Sequence, residues 1–280
     1  MRLGIDLGGT NIRIGQVQDG NIIRKISVPS PSTQGLEESL ITLKQIITPC
    51  VTPGCEAIGI GVPSVVDTDK GIVYNVVNIP AWEEVHLKEI LEDQYGLPVY
   101  INNDSNCFTL GEKRFGEGKP FRNMIGVTLG TGVGAGIIID HKLYNGSNTG
   151  AGEIGSISYL DGIYEDYCAS SFFTIHHQTT GSEAAERATT KDPAALQIWN
   201  EYGTHLGNLI QTILFAYDPD AIIFGGSIAK AHLFFFEAMQ KAMQSFPYPQ
   251  SLKKLHIKQS VNHHIAILGA AALGEDSLNY

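Results

Sequence analysis

One pattern occurs twice in this chain and limits its fold more than any other feature. It is an apolar strand, a glycine-rich turn and a second strand. The first copy runs through Leu3–Asp6, the turn Leu7-Gly8-Gly9-Thr10-Asn11, and the alternating stretch Ile12–Val17. The second runs through Met124–Leu129, the turn Gly130–Gly136, and Ile137–Asp140. Each copy opens a mixed α/β stretch. After the first come the hairpin signal Asp19-Gly20, a strand at Ile22–Val28, and a helix at Leu36–Ile47 with Leu36, Leu40, Leu43 and Ile47 on one face. A buried strand at Ala57–Val62 follows, then a helix at Leu87–Tyr95 that Gly96-Leu97-Pro98 ends, a strand at Val99–Ile101 and a helix at Ser105–Arg114. After the second copy, Asp192-Pro193 supplies an N-cap with proline at the first helical position, for a helix to about Ala216. A strand at Ala221–Phe224, the turn Gly225-Gly226, a helix over 230–245, a strand at Leu255–Gln259 and a helix at Leu268–Leu278 complete the chain. The pattern predicts an α/β protein of two similar lobes, each a mixed sheet with flanking helices. Two such lobes facing one another can hold a polyphosphate from both sides with their glycine turns.

Bulk properties exclude several function classes. At 280 residues the chain is long enough for two lobes with their own cores. A net charge of -10 repels phosphate backbones and anionic lipid, so neither nucleic acid nor a membrane surface is an expected partner. An anionic nucleotide then needs a local device, such as backbone N–H groups and a metal ion. No apolar run reaches about 18 residues, and Asp6 falls where a signal peptide needs its apolar core. The expected location is the cytoplasm. Cys50, Cys55, Cys107 and Cys168 form no disulfide framework; Cys50 and Cys55 are close but have no partner pair for zinc, and the neighbours in His176-His177 and His263-His264 would point to opposite faces of a strand.

Four segments carry chemistry. In Asp6-Leu7-Gly8-Gly9-Thr10-Asn11, glycines admit a phosphate to the backbone and successive N–H groups cradle it. Asp6, at the strand end, can hold Mg²⁺ directly or through water. The bland alternative is a plain hairpin turn. The second segment, Gly130-Thr131-Gly132-Val133-Gly134-Ala135-Gly136, contains a dinucleotide-like G-x-G-x-x-A, but a nicotinamide-binding unit requires a helix after it. Ile137-Ile138-Ile139-Asp140 reads as a strand, so a phosphate-gripping hairpin fits better. The third, Asn102-Asn103-Asp104-Ser105-Asn106, joins a strand to a helix. Asp104 can take a proton from an acceptor hydroxyl and Asn103 can bond a neighbouring hydroxyl, or Asp104 is simply a helix cap. The fourth, Gly150-Ala151-Gly152-Glu153-Ile154-Gly155 with Glu165 beyond it, offers carboxylates suited to adjacent sugar hydroxyls. Asn78-Ile79-Pro80-Ala81-Trp82 can border a sugar, with Trp82 expected in the core. Gly225-Gly226-Ser227 can admit an adenine or be an ordinary turn.

Taken together, the sequence resembles the ROK family of bacterial sugar kinases and repressors over nearly its whole length. Asp6-Leu7-Gly8-Gly9-Thr10-Asn11 and Gly130-Thr131-Gly132-Val133-Gly134 are similar to the family's two phosphate motifs. Asn103-Asp104-Ser105-Asn106 resembles its N-D-A-N segment, which implies Asp104 as the catalytic base. Gly152-Glu153-Ile154-Gly155 resembles its G-E-x-G-H motif, and Glu165-Asp166-Tyr167-Cys168 its E-A-Y-A segment, which implies that Glu165 meets the sugar. The resemblance implies a two-lobed actin-like ATPase fold of the ribonuclease H type. The small lobe is then residues 1–105 with 265–280, and the large lobe 106–264. It also implies ATP with Mg²⁺ as cofactors, phosphorylation of a hexose at O6, and a homodimer. Phosphate contacts are expected at Asp6, Gly8, Gly9, Thr10, Asn11, Gly130, Thr131, Gly132, Gly225 and Gly226. Sugar contacts are expected at Asn78, Asn103, Asp104, Glu153, Ser156 and Glu165. Two departures stand out. Ser156 replaces the family's histidine, and the cysteine-rich zinc loop is missing, since Ile157–Tyr164 contains no cysteine. No structural zinc is expected. The chain starts at its first strand, so the repressors' DNA-binding unit is not expected either. An N-acetylhexosamine kinase and a non-catalytic sugar sensor are the alternatives within the family.

Overall fold

The computed structural model describes residues 1–147 and 149–275. The first strands are β1 (Arg2–Leu7), β2 (Asn11–Gln18) and β3 (Asn21–Pro29), followed by helix α1 (Leu36–Ile47) and strand β4 (Ala57–Val62). Three short strands follow, β5 (Val65–Asp67), β6 (Ile72–Tyr74) and β7 (Glu84–Val85). Then come α2 (Leu87–Tyr95), β8 (Val99–Asn103) and α3 (Asp104–Phe115). The second half contains β9 (Met124–Leu129), β10 (Val133–Ile139), β11 (Lys142–Leu143), β12 (Ser158–Tyr159), β13 (Gly162–Ile163), α4 (Tyr164–Cys168), α5 (Gly181–Thr189) and α6 (Pro193–Tyr217). It ends with β14 (Ala221–Gly225), α7 (His232–Met243), α8 (Pro249–Lys254), β15 (His256–Gln259) and α9 (Ile265–Ala272). Residues 276–278 of the expected last helix lie outside the described residues. Among the described residues, no helix is long and apolar enough to cross a membrane.

The two sheets repeat one topology. The first has the order β3-β2-β1-β4-β8 and the second β11-β10-β9-β14-β15. In the first, β1 pairs antiparallel with β2 and parallel with β4, which pairs parallel with β8. In the second, β9 pairs parallel with β14, which pairs parallel with β15. The repetition reflects two strand–turn–strand openings, each followed by parallel strands reached through helices. The chain divides into two compact units. Unit 1 holds residues 1–120, 136–151 and 261–280, and unit 2 holds 121–135 and 152–260. Helix α3 clusters with unit 1, although the sequence reading places a boundary after residue 105. The reason is packing: Gly269 of α9 meets the backbone of α3 at Cys107.

The core of unit 1 is the apolar side of its sheet. Leu3, Ile5, Ile14, Ile58 and Ile60 are buried together with Leu43 and Ile47 of α1. Trp82 belongs to this core, fully buried, with its indole N–H donating to Ser39 Oγ at 2.7 Å. The opposite face is covered by α9, seated almost on the strands. A Cβ on Gly4 or Gly59 would collide with the carbonyl oxygens of Ile267 and Ala270. The core of unit 2 is aromatic. Trp199 and Tyr202 of α6 pack with Phe173 and with Phe235 of α7.

The strand after the second glycine turn starts earlier than the sequence suggests, at Val133 rather than Ile137. Gly134 and Gly136 are strand residues, and Gly136 is bare because Thr109 and the Ser105 carbonyl of α3 press against it. No helix follows Ala135, which removes the nicotinamide-binding reading.

The seat of α9 yields a stability prediction. Gly59→Ala should cost about 3 kcal/mol through forced separation of α9 from the sheet. That lowers the melting temperature by roughly 10 °C for a unit of this size. Gly35→Ala, where a Cβ meets open space, should stay within about 1 kcal/mol. Differential scanning calorimetry of the two variants checks the contrast.

Candidate active site

Parallel strands place their carboxyl ends on one sheet edge, and loops leaving that edge form sites in open α/β sheets. In unit 1, Asp6 of β1 aligns with Gly61 of β4, which aligns with Asn102 of β8. The turn Gly8–Asn11 and the β8–α3 junction therefore leave the same edge. In unit 2, Gly225 of β14 aligns with Thr128 of β9, so the turns at 130–132 and 225–227 also leave one edge. Gly226 has φ 90°, a backbone state that favours glycine, and a Cβ there would strike Leu129.

Asn103, not Asp104, caps α3. Its side-chain oxygen accepts from the N–H groups of Ser105 at 2.9 Å and Asn106 at 3.4 Å. Asp104 is thereby the first helical residue, where the helix dipole favours a carboxylate. Its Oδ1 accepts from the Ser105 N–H at 2.8 Å. Behind the junction, buried Asn102 and Asn106 bond each other and Asn145, at 2.9, 3.0 and 3.4 Å. Cys107 lies fully buried below. Burial pushes its thiol pKa up, and the charges of Asp104 and Asp6 push it further.

Asp6 is paired with a residue the sequence reading passed over. Its Oδ2 accepts from Arg13 Nη1 at 3.0 Å. Burial raises the Asp6 pKa, and the Arg13 charge works against that rise. A signal for this pair was present in the sequence. The turn from Gly8 to Thr10 sets β1 against β2 so that position 13 faces position 6. On the same side of unit 1, the Asn78 side chain rests on Gly9, where a Cβ would lie 2.7 Å from it. The structure therefore brings Asp6, Gly8, Gly9, Thr10, Asn11, Asn78, Asn103 and Asp104 into unit 1.

Unit 2 holds the remaining candidates: Gly130, Thr131, Gly132, Glu153, Ser156, Glu165, Gly225 and Gly226. Glu165 sits in the first turn of α4, and its Oε2 accepts from the Val133 N–H at 2.9 Å. It packs on Gly132, where a Cβ would lie 2.5 Å away. The expected sugar carboxylate and the second phosphate turn are therefore one bonded unit. Ser170, also unforeseen, braces that turn by donating its N–H to the Gly130 carbonyl at 2.9 Å and its hydroxyl to the Thr131 carbonyl at 3.4 Å. Ser156 closes the short helical turn Ile154–Ser156, exposed beside Glu153. Partial burial raises the Glu153 pKa, and the Glu165 charge adds to the rise.

A repeated sheet topology, with acids and glycine turns at its carboxyl edges, defines the mixed α/β fold of the actin-like ATPases. The ROK family model matches residues 2–277. A glucokinase of Streptomyces coelicolor is 31% identical over 265 residues, covering 82% of each chain. An N-acetylgalactosamine kinase of Shewanella sp. strain ANA-3 is 27% identical over 84% of this chain and 88% of its own. The crystal structure of a ROK family glucokinase from Streptomyces griseus, in complex with glucose and AMPPNP, is 26% identical with a TM-score of 0.83. That match covers 98% of this chain and 99% of the other. The chain belongs to the ROK family.

The acidic pair gives a pH prediction. Glu153 should titrate above the ordinary glutamate value of 4.5. Glu165→Gln should bring its pKa down, because removing a neighbouring negative charge eases ionisation. Carboxyl ¹³C NMR across pH 3 to 8 measures both values, and an unmoved Glu153 refutes the coupling.

Proposed function

We propose that this protein is a kinase that transfers the γ-phosphoryl group of ATP to a hexose, at O6, with Asp104 as general base. The observation that carries the reading is that the Asp6 turn and the β8–α3 junction at Asp104 leave the same edge of one sheet. Phosphoryl transfer asks for placement, charge neutralisation and a carboxylate beside the acceptor hydroxyl. Asn103 fixes the backbone at Asp104 through the helix cap, so the carboxylate is held before substrate arrives. It takes the hydroxyl proton as the oxygen attacks phosphorus.

The residues present fit a magnesium nucleotide. Backbone N–H groups of Gly8, Gly9, Thr10 and Asn11, and of Thr131 and Gly132, suit the phosphates, while the Gly130 N–H donates to the Gly132 carbonyl at 3.1 Å and shapes that turn. Gly225 and Gly226 let an adenine approach the chain. Asp6, now paired with Arg13, would hold Mg²⁺ directly or through water. The chemistry bound Mg²⁺ supplies is neutralisation of the phosphoryl oxygens. Asn78, Asn103, Glu153, Ser156 and Glu165 bind the sugar hydroxyls, each carboxylate accepting from two neighbours. The kinase acts in the cytoplasm as a homodimer joined through unit 2, where Phe215, Leu233 and Tyr248 stay exposed.

Asp104→Asn should lower turnover at least about a hundredfold while calorimetric sugar binding persists. The assay is ADP release with Mg-ATP over glucose, mannose, fructose, allose, N-acetylglucosamine, N-acetylmannosamine and N-acetylgalactosamine. Wild-type rates in the variant sink the assignment. Turnover confined to acetylated sugars makes the substrate an N-acetylhexosamine. Binding without turnover in the folded wild type makes it a sensor.

A further inference from the structure

The family resemblance implies a structural zinc held by a cysteine-rich loop beyond Gly152-Glu153-Ile154-Gly155. The residues here do not fit one. Ile157–Tyr164 offers neither thiol nor imidazole. The next thiol along the chain, Cys168, is fully buried, and burial pushes its pKa up, away from the thiolate a zinc site needs. Among the described residues, no group of three or more His, Cys, Asp and Glu side chains is placed to hold a metal ion.

The stretch forms the β12–β13 hairpin instead, with Ser158 opposite Ile163 and Tyr159 opposite Gly162. The Tyr164 N–H donates to the Ile157 carbonyl at 3.0 Å and closes it. Three tyrosines then tie the hairpin and α4 to one another and to α6. Tyr159 stacks on Tyr164 with ring centroids 4.2 Å apart and meets the edge of Tyr167 at 5.3 Å. Its hydroxyl accepts from Asn208 Nδ2 at 2.7 Å and lies 3.0 Å from His205 Nδ1. Burial lowers the His205 pKa, which favours the neutral ring, whose Nδ1 can accept a hydrogen bond from that hydroxyl. Tyr164 bonds the Thr212 hydroxyl at 2.7 Å, and Tyr202 donates to the Cys168 carbonyl at 2.8 Å. Tyr167 donates to Asp161 in the hairpin turn. Positions 202, 205, 208 and 212 lie on one face of α6, so α4 is fastened to that face at both ends.

We propose that this tyrosine–histidine clamp holds the hairpin and α4 on α6 in place of a metal, and that Tyr159 is thereby a positioning residue for Glu165. Glu165 lies next to Tyr164 in α4, and its carboxylate reaches Val133. Its placement therefore depends on where the clamp sets that helix. The inference rests on the reading that Glu165 meets the sugar.

The test uses Tyr159→Phe, Glu165→Gln and the double variant, with glucose as the calorimetric probe and calorimetric melting beside it. Tyr159→Phe keeps the ring stack and loses only the two hydroxyl bonds. It should weaken glucose binding about tenfold and lower the melting temperature. Glu165→Gln should weaken binding further, and the double variant should bind no worse than Glu165→Gln alone, the signature of two residues acting as one. Dialysis of the wild type against a strong zinc chelator, followed by Mg²⁺, should leave melting unchanged, with zinc far below one atom per chain. Wild-type affinity in Tyr159→Phe, additive losses in the double variant, or melting that falls with chelation each overturn the proposal. Unchanged affinity in Glu165→Gln alone removes Glu165 from the sugar site. The melting arm then decides the clamp, and an unchanged melt in Tyr159→Phe overturns it.

Discussion

The approach of α9 to the first sheet is the contact on which unit 1 depends. Gly4 and Gly59 leave the β1 and β4 backbones bare, and α9 sits where ordinary side chains would stand. The same helix reaches α3 through Gly269. Helix α3 begins at Asp104, and β1 runs into the Asp6 turn. One packed seat therefore fixes the two elements that carry the acidic groups of the sheet edge. Protein interiors transmit such placement because they are packed like crystals.

Charge is handled differently in the two units. In unit 1 a partly buried carboxylate, Asp6, is offset by a guanidinium from the facing strand. In unit 2 a carboxylate, Glu165, is held by a backbone N–H of the second glycine turn, and a second carboxylate, Glu153, feels its charge. An ion pair can exchange partners with an incoming cation, whereas a backbone bond fixes geometry. Each arrangement suits the role proposed for its acid.

Much of this was legible in the sequence because the signals were local. The two glycine turns, the strands beside them and the helix opened by Asp192-Pro193 follow from hydrophobic period and turn chemistry. Asp192 does cap α6, accepting from the Ala194 N–H at 2.9 Å. The boundary of β10 was not legible, because Gly134 and Gly136 read as turn residues until α3 is seen pressing on the strand. Asn103 and Asp104 compete for one cap, and the register that chooses Asn103 comes from the pairing of β4 with β8. The fastening of the hairpin and α4 to α6 joins residues 34 to 49 apart in the chain, and nothing local announces it. The pairing of Asp6 with Arg13 follows from the turn length, which sets position 13 opposite position 6.

Helix α9 closes the unit that β1 begins, yet all of unit 2 lies between them in the chain. During synthesis, unit 2 has left the ribosome before residues 265–272 are made, so it can fold while the bare face around Gly4 and Gly59 is still uncovered. Domains generally fold as they emerge, and contacts distant in sequence form late. Strands made before unit 2 are therefore sealed only after it. That interval, rather than the finished molecule, is when an exposed apolar sheet face most needs a chaperone.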